Sequence, residues 1–240
     1  MSYSDQAGKI SSGLALGTPP VALAFVAEPP AGVASTDRAV PSSCTFWRQA
    51  EQGVFYASAE QHFNCPVGAM VMGFQLPEAL QEQLGGLVGK MCECGYLGAE
   101  EAASIPSVGR GSAGIVYGPL ADFPMAPDVV LLWLTPAQAM LFSEAAGSAS
   151  WSDSPATATA TGRPACAALP LAMVNGRTSL SLGCMGMRTF TDVADDRLLA
   201  AIPAAEVDEF VGALERTMAA NEEMRSFYQE HKQQFSGASS

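Results

Sequence analysis

The chain has 240 residues, 48 % of them apolar and 15 % charged, so it can bury a sizeable core and global disorder is excluded. Twelve Lys and Arg stand against 24 Asp and Glu, a formal net charge of −12 whose field repels phosphate and makes nucleic acid and anionic membranes poor partners. The longest apolar runs, residues 21–27 and 129–134, fall far short of the ~20 residues that span a bilayer. Residues 1–12 carry one Lys and none of the apolar stretch of a secretory signal, so a cytoplasmic location is expected.

In chain order, residues 1–17 read as a flexible lead-in. Val21–Val26, held between Pro19-Pro20 and Pro29-Pro30, has the length and bounds of a buried strand. Residues 32–43 form a loop, 44–52 a short helix stopped by Gly53, and 54–58 a second strand. Residues 77–92 are helical with Pro77 in the first turn, and 100–105 form a further short helix closed by Pro106. Strands follow at 114–117 and 129–134. Thr135-Pro136 then opens the best-capped helix, which runs to Gly147. Residues 148–162, rich in Ser, Thr and Ala, read as an exposed loop, 166–174 as helical, 178–182 as a strand and 195–201 as helical up to Pro203. Residues 206–235 form a long helix with one apolar stripe at Val207, Phe210, Val211, Leu214 and Met218.

Six cysteines carry the chemistry: Cys44, Cys65, Cys92, Cys94, Cys166 and Cys184. In a reducing compartment structural disulfides are not expected, which leaves metal or cluster ligands, a reactive thiol, or small buried side chains. Histidine is limited to His62 and His231, which argues against a His-rich metal site and a Ser-His-Asp triad.

The two halves repeat an order of features. A buried strand, Cys44, Gly53, a strand and Cys65 are matched by a buried strand, Cys166, Asn175-Gly176, a strand and Cys184. The cysteine spacings are 21 and 18 residues, and each half reaches an Ile-Pro step, Ile105-Pro106 and Ile202-Pro203. The expected fold is therefore an α/β (α+β) chain that is internally duplicated. It has two related halves, 18–108 and 109–218, about a pseudo-two-fold axis, and residues 219–240 form the end of the C-terminal helix and a tail.

Across such an axis Cys44, Cys65, Cys166 and Cys184 would converge as four thiolates, the ligand set of a 4Fe–4S cluster or a closed zinc site. Gly68 and Gly186 would let backbone approach the sulfurs. Arg48 and Arg188 each follow a cysteine by four residues and could favour thiolate, and His62 is the imidazole nearest a cysteine in sequence. Met70, Met72, Met185 and Met187 flank two of the cysteines, a thioether setting that would suit copper(I).

Cys44 with Phe46-Trp47-Arg48-Gln49-Ala50, Asn64-Cys65-Pro66-Val67-Gly68-Ala69, Pro127-Asp128-Val129-Val130, Ala137-Gln138-Ala139-Met140 and Gly183-Cys184-Met185-Gly186-Met187-Arg188 occur in this order. Together they resemble the bacterial and archaeal proteins catalogued as domain of unknown function 169, over roughly residues 13–218. The resemblance implies that Cys44, Cys65, Cys166 and Cys184 stand at the family's cysteine positions, with Cys92 and Cys94 outside the pattern. It supplies no ligand.

The function expected from these residues is 4Fe–4S binding for electron transfer or reductive chemistry on a small molecule, with a redox partner protein or a small-molecule ligand as partner. The alternatives are a four-cysteine zinc, copper(I) or heavy-metal module, and a metal-free thiol enzyme with Cys65 or Cys184 as nucleophile. The C-terminal helix is the expected contact if the chain forms a homo-oligomer.

Overall fold

In the computed structural model, which describes residues 1–109, 111–147 and 164–236, one antiparallel sheet organises the chain. Its strands are β1 (Val21–Val26), β2 (Phe55–Ser58), β3 (Gly114–Pro119), β4 (Val129–Leu134), β5 (Ser179–Ser181) and β6 (Leu198–Pro203), in the order β2-β3-β1-β4-β6-β5. β1 pairs with β3 along its whole length, from Val21 opposite Pro119 to Val26 opposite Gly114. β4 pairs with β6 in the same way, from Val129 opposite Pro203 to Leu134 opposite Leu198.

The helices are α1 (Tyr3–Leu14), α2 (Cys44–Gln49), α3 (Pro66–Val71), α4 (Glu78–Glu93), α5 (Ala99–Ala103), α6 (Pro136–Ala145), α7 (Ala168–Met173), α8 (Met185–Phe190) and α9 (Val207–Ser236). Side chains alternate across a strand, so β4 sends Val129, Leu131 and Trp133 to one face and Val130, Leu132 and Leu134 to the other, all buried. This explains its unbroken apolar run: both faces are covered. One face packs with Val21, Leu23, Tyr117 and Leu199 against α2, α3, α7 and α8. The other packs with Ala22, Val116 and Ile202 against Ile10 and Leu14 of α1, Phe142 of α6, and Phe210 and Leu214 of α9. The result is three layers, helices on both sides of the sheet.

Several expectations are corrected. Residues 1–17 are not a flexible lead-in, because α1 starts with a capping box between Ser2 and Asp5 and buries Gln6, Ala7, Ile10 and Leu14. A Cβ on Gly13 would stand 2.8 Å from Leu214, so this glycine is what lets α1 lie closely on α9. Residues 198–203 form a strand and not a helix. Leu and Ala favour helix individually, but pairing with β4 on one side and β5 on the other overrides propensity. β3 hydrogen-bonds to β1 and β2, so a boundary at 108/109 would cut through a sheet unit. Ile105 follows α5 outside any strand while Ile202 lies within β6, so the two Ile-Pro steps do not correspond. The loop expected at 148–162 lies outside the described residues.

The expected long C-terminal helix is present as α9. Of its expected stripe Val207, Phe210, Val211 and Leu214 are buried, whereas Met218 is exposed, as are Met224, Phe227, Tyr228 and Phe235 beyond it. Among the described residues no helix is long and apolar enough to cross a membrane.

Candidate functional site

Short helical segments on one face of the sheet each present a cysteine. Cys44 opens α2. Cys65 is the N-cap of α3, which begins with Pro66, whose ring presets a helical φ and whose missing N–H is not needed in the first turn. Cys184 is the N-cap of α8, and its Sγ accepts the Met187 N–H at 3.4 Å. Cys166 lies in the 3-10 turn Ala165–Ala167 that leads into α7.

All four line a single cavity of about 230 Å³. Pro41, Ser42 and Asn64 form one side, and the Asn64 side chain donates to the Val40 carbonyl at 3.0 Å, pinning that loop. Val67 and Gly68 of α3, with Gly186, Met187 and Phe190 of α8, form the flanks. Leu87 and Met91 of α4, followed by Tyr96 and Leu97, form the roof. The Tyr96 hydroxyl accepts the Met185 N–H at 3.4 Å, joining the roof to α8. A Cβ on Gly68 would stand 3.0 Å from both Cys65 Sγ and Ser43 Oγ, so only glycine leaves those two groups undisturbed.

Among the described residues that line it there is no Lys, Arg, His, Asp or Glu. Burial pushes the Cys44 thiol well above its ordinary range, and the facing Cys184 and Cys65 push it further. Cys166 is raised in the same way, by burial first and then by Cys44, Cys65 and Cys184. At neutral pH these two side chains are uncharged thiols, polarisable apolar surface with a weak S–H donor.

Among the described residues no group of three or more His, Cys, Asp or Glu could hold a metal ion. This overturns the expected 4Fe–4S function and its zinc and copper alternatives. The reason is geometric: the four sulfurs share one cavity wall, but among the described residues no three of them are grouped closely enough to ligate one ion. The thiol-enzyme alternative lacks its base. A nucleophilic cysteine needs a proton acceptor within hydrogen-bond reach, and among the described residues the cavity wall offers no histidine or carboxylate.

Of the residues expected to surround the sulfurs, Gly68 and Gly186 line the cavity, whereas Arg48, His62 and Arg188 do not. Arg48 pairs with Glu51 and places Nε 2.9 Å from Asp192 Oδ1, tying α2 to the segment after α8. Arg188 donates to the carbonyls of Leu182 at 2.9 Å, Arg197 at 3.1 Å and Ala194 at 3.3 Å, and so shapes the turn between α8 and β6. His62 is buried; its Nδ1–H donates to the Ser58 carbonyl at 2.7 Å, which leaves Nε2 to accept from the Tyr117 hydroxyl at 2.8 Å. Cys92 lies on α4 and Cys94 caps its C-terminus, and neither lines the cavity.

The roof residues Leu87, Met91, Tyr96 and Leu97 were not legible as site residues, because nothing local links residues 87–97 to α8. α3 was not read from the sequence either, although Pro66 at its first position is the same N1 signal as Pro136. A family model described as uncharacterised ArCR matches residues 9–213. No curated protein and no solved structure matches the chain.

Proposed function

The chain belongs to the family of domain of unknown function 169, and we propose that it binds a small, uncharged, mainly apolar molecule in the four-cysteine cavity. The observation that carries this reading is the wall itself: about 230 Å³ of space that the described residues line with thiols, methionine, leucine, proline and aromatic side chains and with no charged group among them. Apolar guests gain by leaving water for such a wall, at ~25 cal/mol per Å² of apolar surface buried. A charged guest would lose its hydration with no partner to replace it. The net charge of −12 further disfavours anions. The thiols add polarisable contact and weak S–H donors suited to a carbonyl, ether or aromatic face.

We also infer that the chain is a duplicated unit with the cavity at its junction. Three features support this. The strand order reads the same from both edges when β1, β2 and β3 are equated with β4, β5 and β6. β3 and β6 both end on proline, Pro119 and Pro203, followed by a 3-10 turn. In each unit one cysteine begins or enters a helical segment after the first strand, and another N-caps a helix after the second. We read the protein as cytoplasmic, a reading supported by its six free cysteines.

The test is thermal shift and calorimetry with matched pairs of small aromatic or aliphatic ligands, each neutral compound beside its carboxylate analogue. The neutral members are expected to raise Tm and the carboxylates to leave it unchanged. Leu87→Trp, at the half-open roof, is expected to weaken the neutral ligands. Carboxylates binding as tightly as their neutral partners, or no response to any neutral compound, would overturn the reading.

A further inference from the structure

Two buried residues, Phe74 and Leu97, anchor a stretch of chain in which no residue is buried. That stretch is α4 with its flanks. Its main packing partner is α3. Leu80, Leu84, Val88 and Met91 recur every three or four residues and form one apolar stripe, yet each is only half-buried. An amphipathic helix normally hides such a stripe. Here Met91 of the stripe, with the neighbouring Leu87, roofs the cavity, and part of what would cover these two is empty space.

The middle of α4 is built to be weak. Gly85, Gly86 and Gly89 lie inside the helix, and a Cβ at any of them would meet nothing within 4 Å. Close packing therefore does not require glycine at these positions, unlike Gly13 or Gly68. All three φ angles lie outside the left-handed region that favours glycine, since the left-handed glycines on either side are Gly73 and Gly95. Glycine in a helix interior lowers helix stability because the unwound chain gains backbone freedom. Three within five residues concentrate that weakness over the cavity.

We propose that α4 is the gate of the cavity and opens by unwinding at Gly85, Gly86 and Gly89. What passes the gate rests on the ligand reading above; the gate itself does not. An apolar guest covers Leu87 and Met91, so it binds the wound helix better than the unwound one and closes the roof over itself.

Alkylation of Cys44 and Cys166, the two buried cavity thiols, by N-ethylmaleimide tests this without any ligand in the full chain, each site being followed separately by mass spectrometry because Cys65 and Cys184 are only half-buried. Replacing one interior glycine by alanine is expected to slow alkylation about fourfold, and replacing all three by at least about tenfold. Glu82→Gly with Gln83→Gly, at exposed positions off the cavity wall, is expected to accelerate it several-fold. Equal alkylation rates in the parent, the alanine variant and the glycine variant would overturn the gate. Gated alkylation in a protein that binds none of the neutral ligands would leave the gate standing and remove only the ligand reading.

Discussion

His62 Nε2 lies 2.8 Å from the hydroxyl of Tyr117, with both side chains buried. The ring is packed among Phe46, Phe74 and Tyr117, and burial pushes its pKa from 6.5 down to about 4. Between those values the unfolded chain takes up a proton that the folded chain refuses. Stability from this residue is therefore complete above pH 6.5 and declines as the pH falls toward 4, by at most ~1.4 kcal/mol per pH unit. Urea unfolding at pH 7, 6 and 5 should show this slope, and His62→Gln should flatten it. A variant with the slope of the parent would show that His62 is not the group responsible.

Ile10 is fully buried between α1 and the core around α9, although it stands in a stretch whose sequence reads as a lead-in. Ile10→Ala should cost about 2–5 kcal/mol, the range for deleting a buried aliphatic side chain that its surroundings only partly refill. The midpoint of urea unfolding measures it. A flexible arm would show no change.

The difference between these residues shows what a sequence states locally. β1 and β4 were legible to the residue because each is an unbroken apolar run, β1 closed by prolines on both sides. β6 was not, because Leu198-Leu-Ala-Ala-Ile202 is good helix material and only its neighbours β4 and β5 make it a strand. α1 was hidden by its serines and glycines, of which Gly13 allows close approach to Leu214. Cys44, Cys65, Cys166 and Cys184 were legible as a set by their order along the chain, and they do line one cavity. Their chemistry was not legible. The charge state of a thiol depends on burial and on which cations face it, and Arg48 is drawn instead to Asp192, which is 144 residues away in sequence.

Thr135 caps α6 with its hydroxyl, which accepts the Gln138 N–H at 3.3 Å, while Gln138 Oε1 accepts the Thr135 N–H at 2.8 Å. Thr135→Ala should cost about 1 kcal/mol. For a chain of this size that lowers Tm by about 2–4 °C in calorimetry. Gln138→Ala should cost at least as much, because Gln138 Nε2 also donates to the Ala15 carbonyl at 2.7 Å and so ties α6 to the end of α1.

Gly68 and Gly186 both line the cavity and stand in comparable short helices that follow an N-capping cysteine, yet alanine should act differently at the two. At Gly68 the new Cβ meets Cys65 Sγ at 3.0 Å and Ser43 Oγ at 3.0 Å. The Ser43 Cβ stands 3.3 Å away as well, so rotating its hydroxyl does not clear the space, and the Cys65 side chain has to yield toward the cavity it lines. Gly68→Ala should cost about 1–3 kcal/mol as overpacking and weaken neutral ligands by reducing the space they occupy. At Gly186 the nearest atom to a Cβ is Cys184 Sγ at 4.0 Å, an ordinary contact. Gly186→Ala should therefore leave stability unchanged or raise it by up to ~1 kcal/mol through helix propensity. Urea midpoints and calorimetric affinity for one neutral ligand, measured on both variants, read the contrast. Equal effects at the two glycines would mean that the Cys65–Ser43 side of the cavity yields without strain.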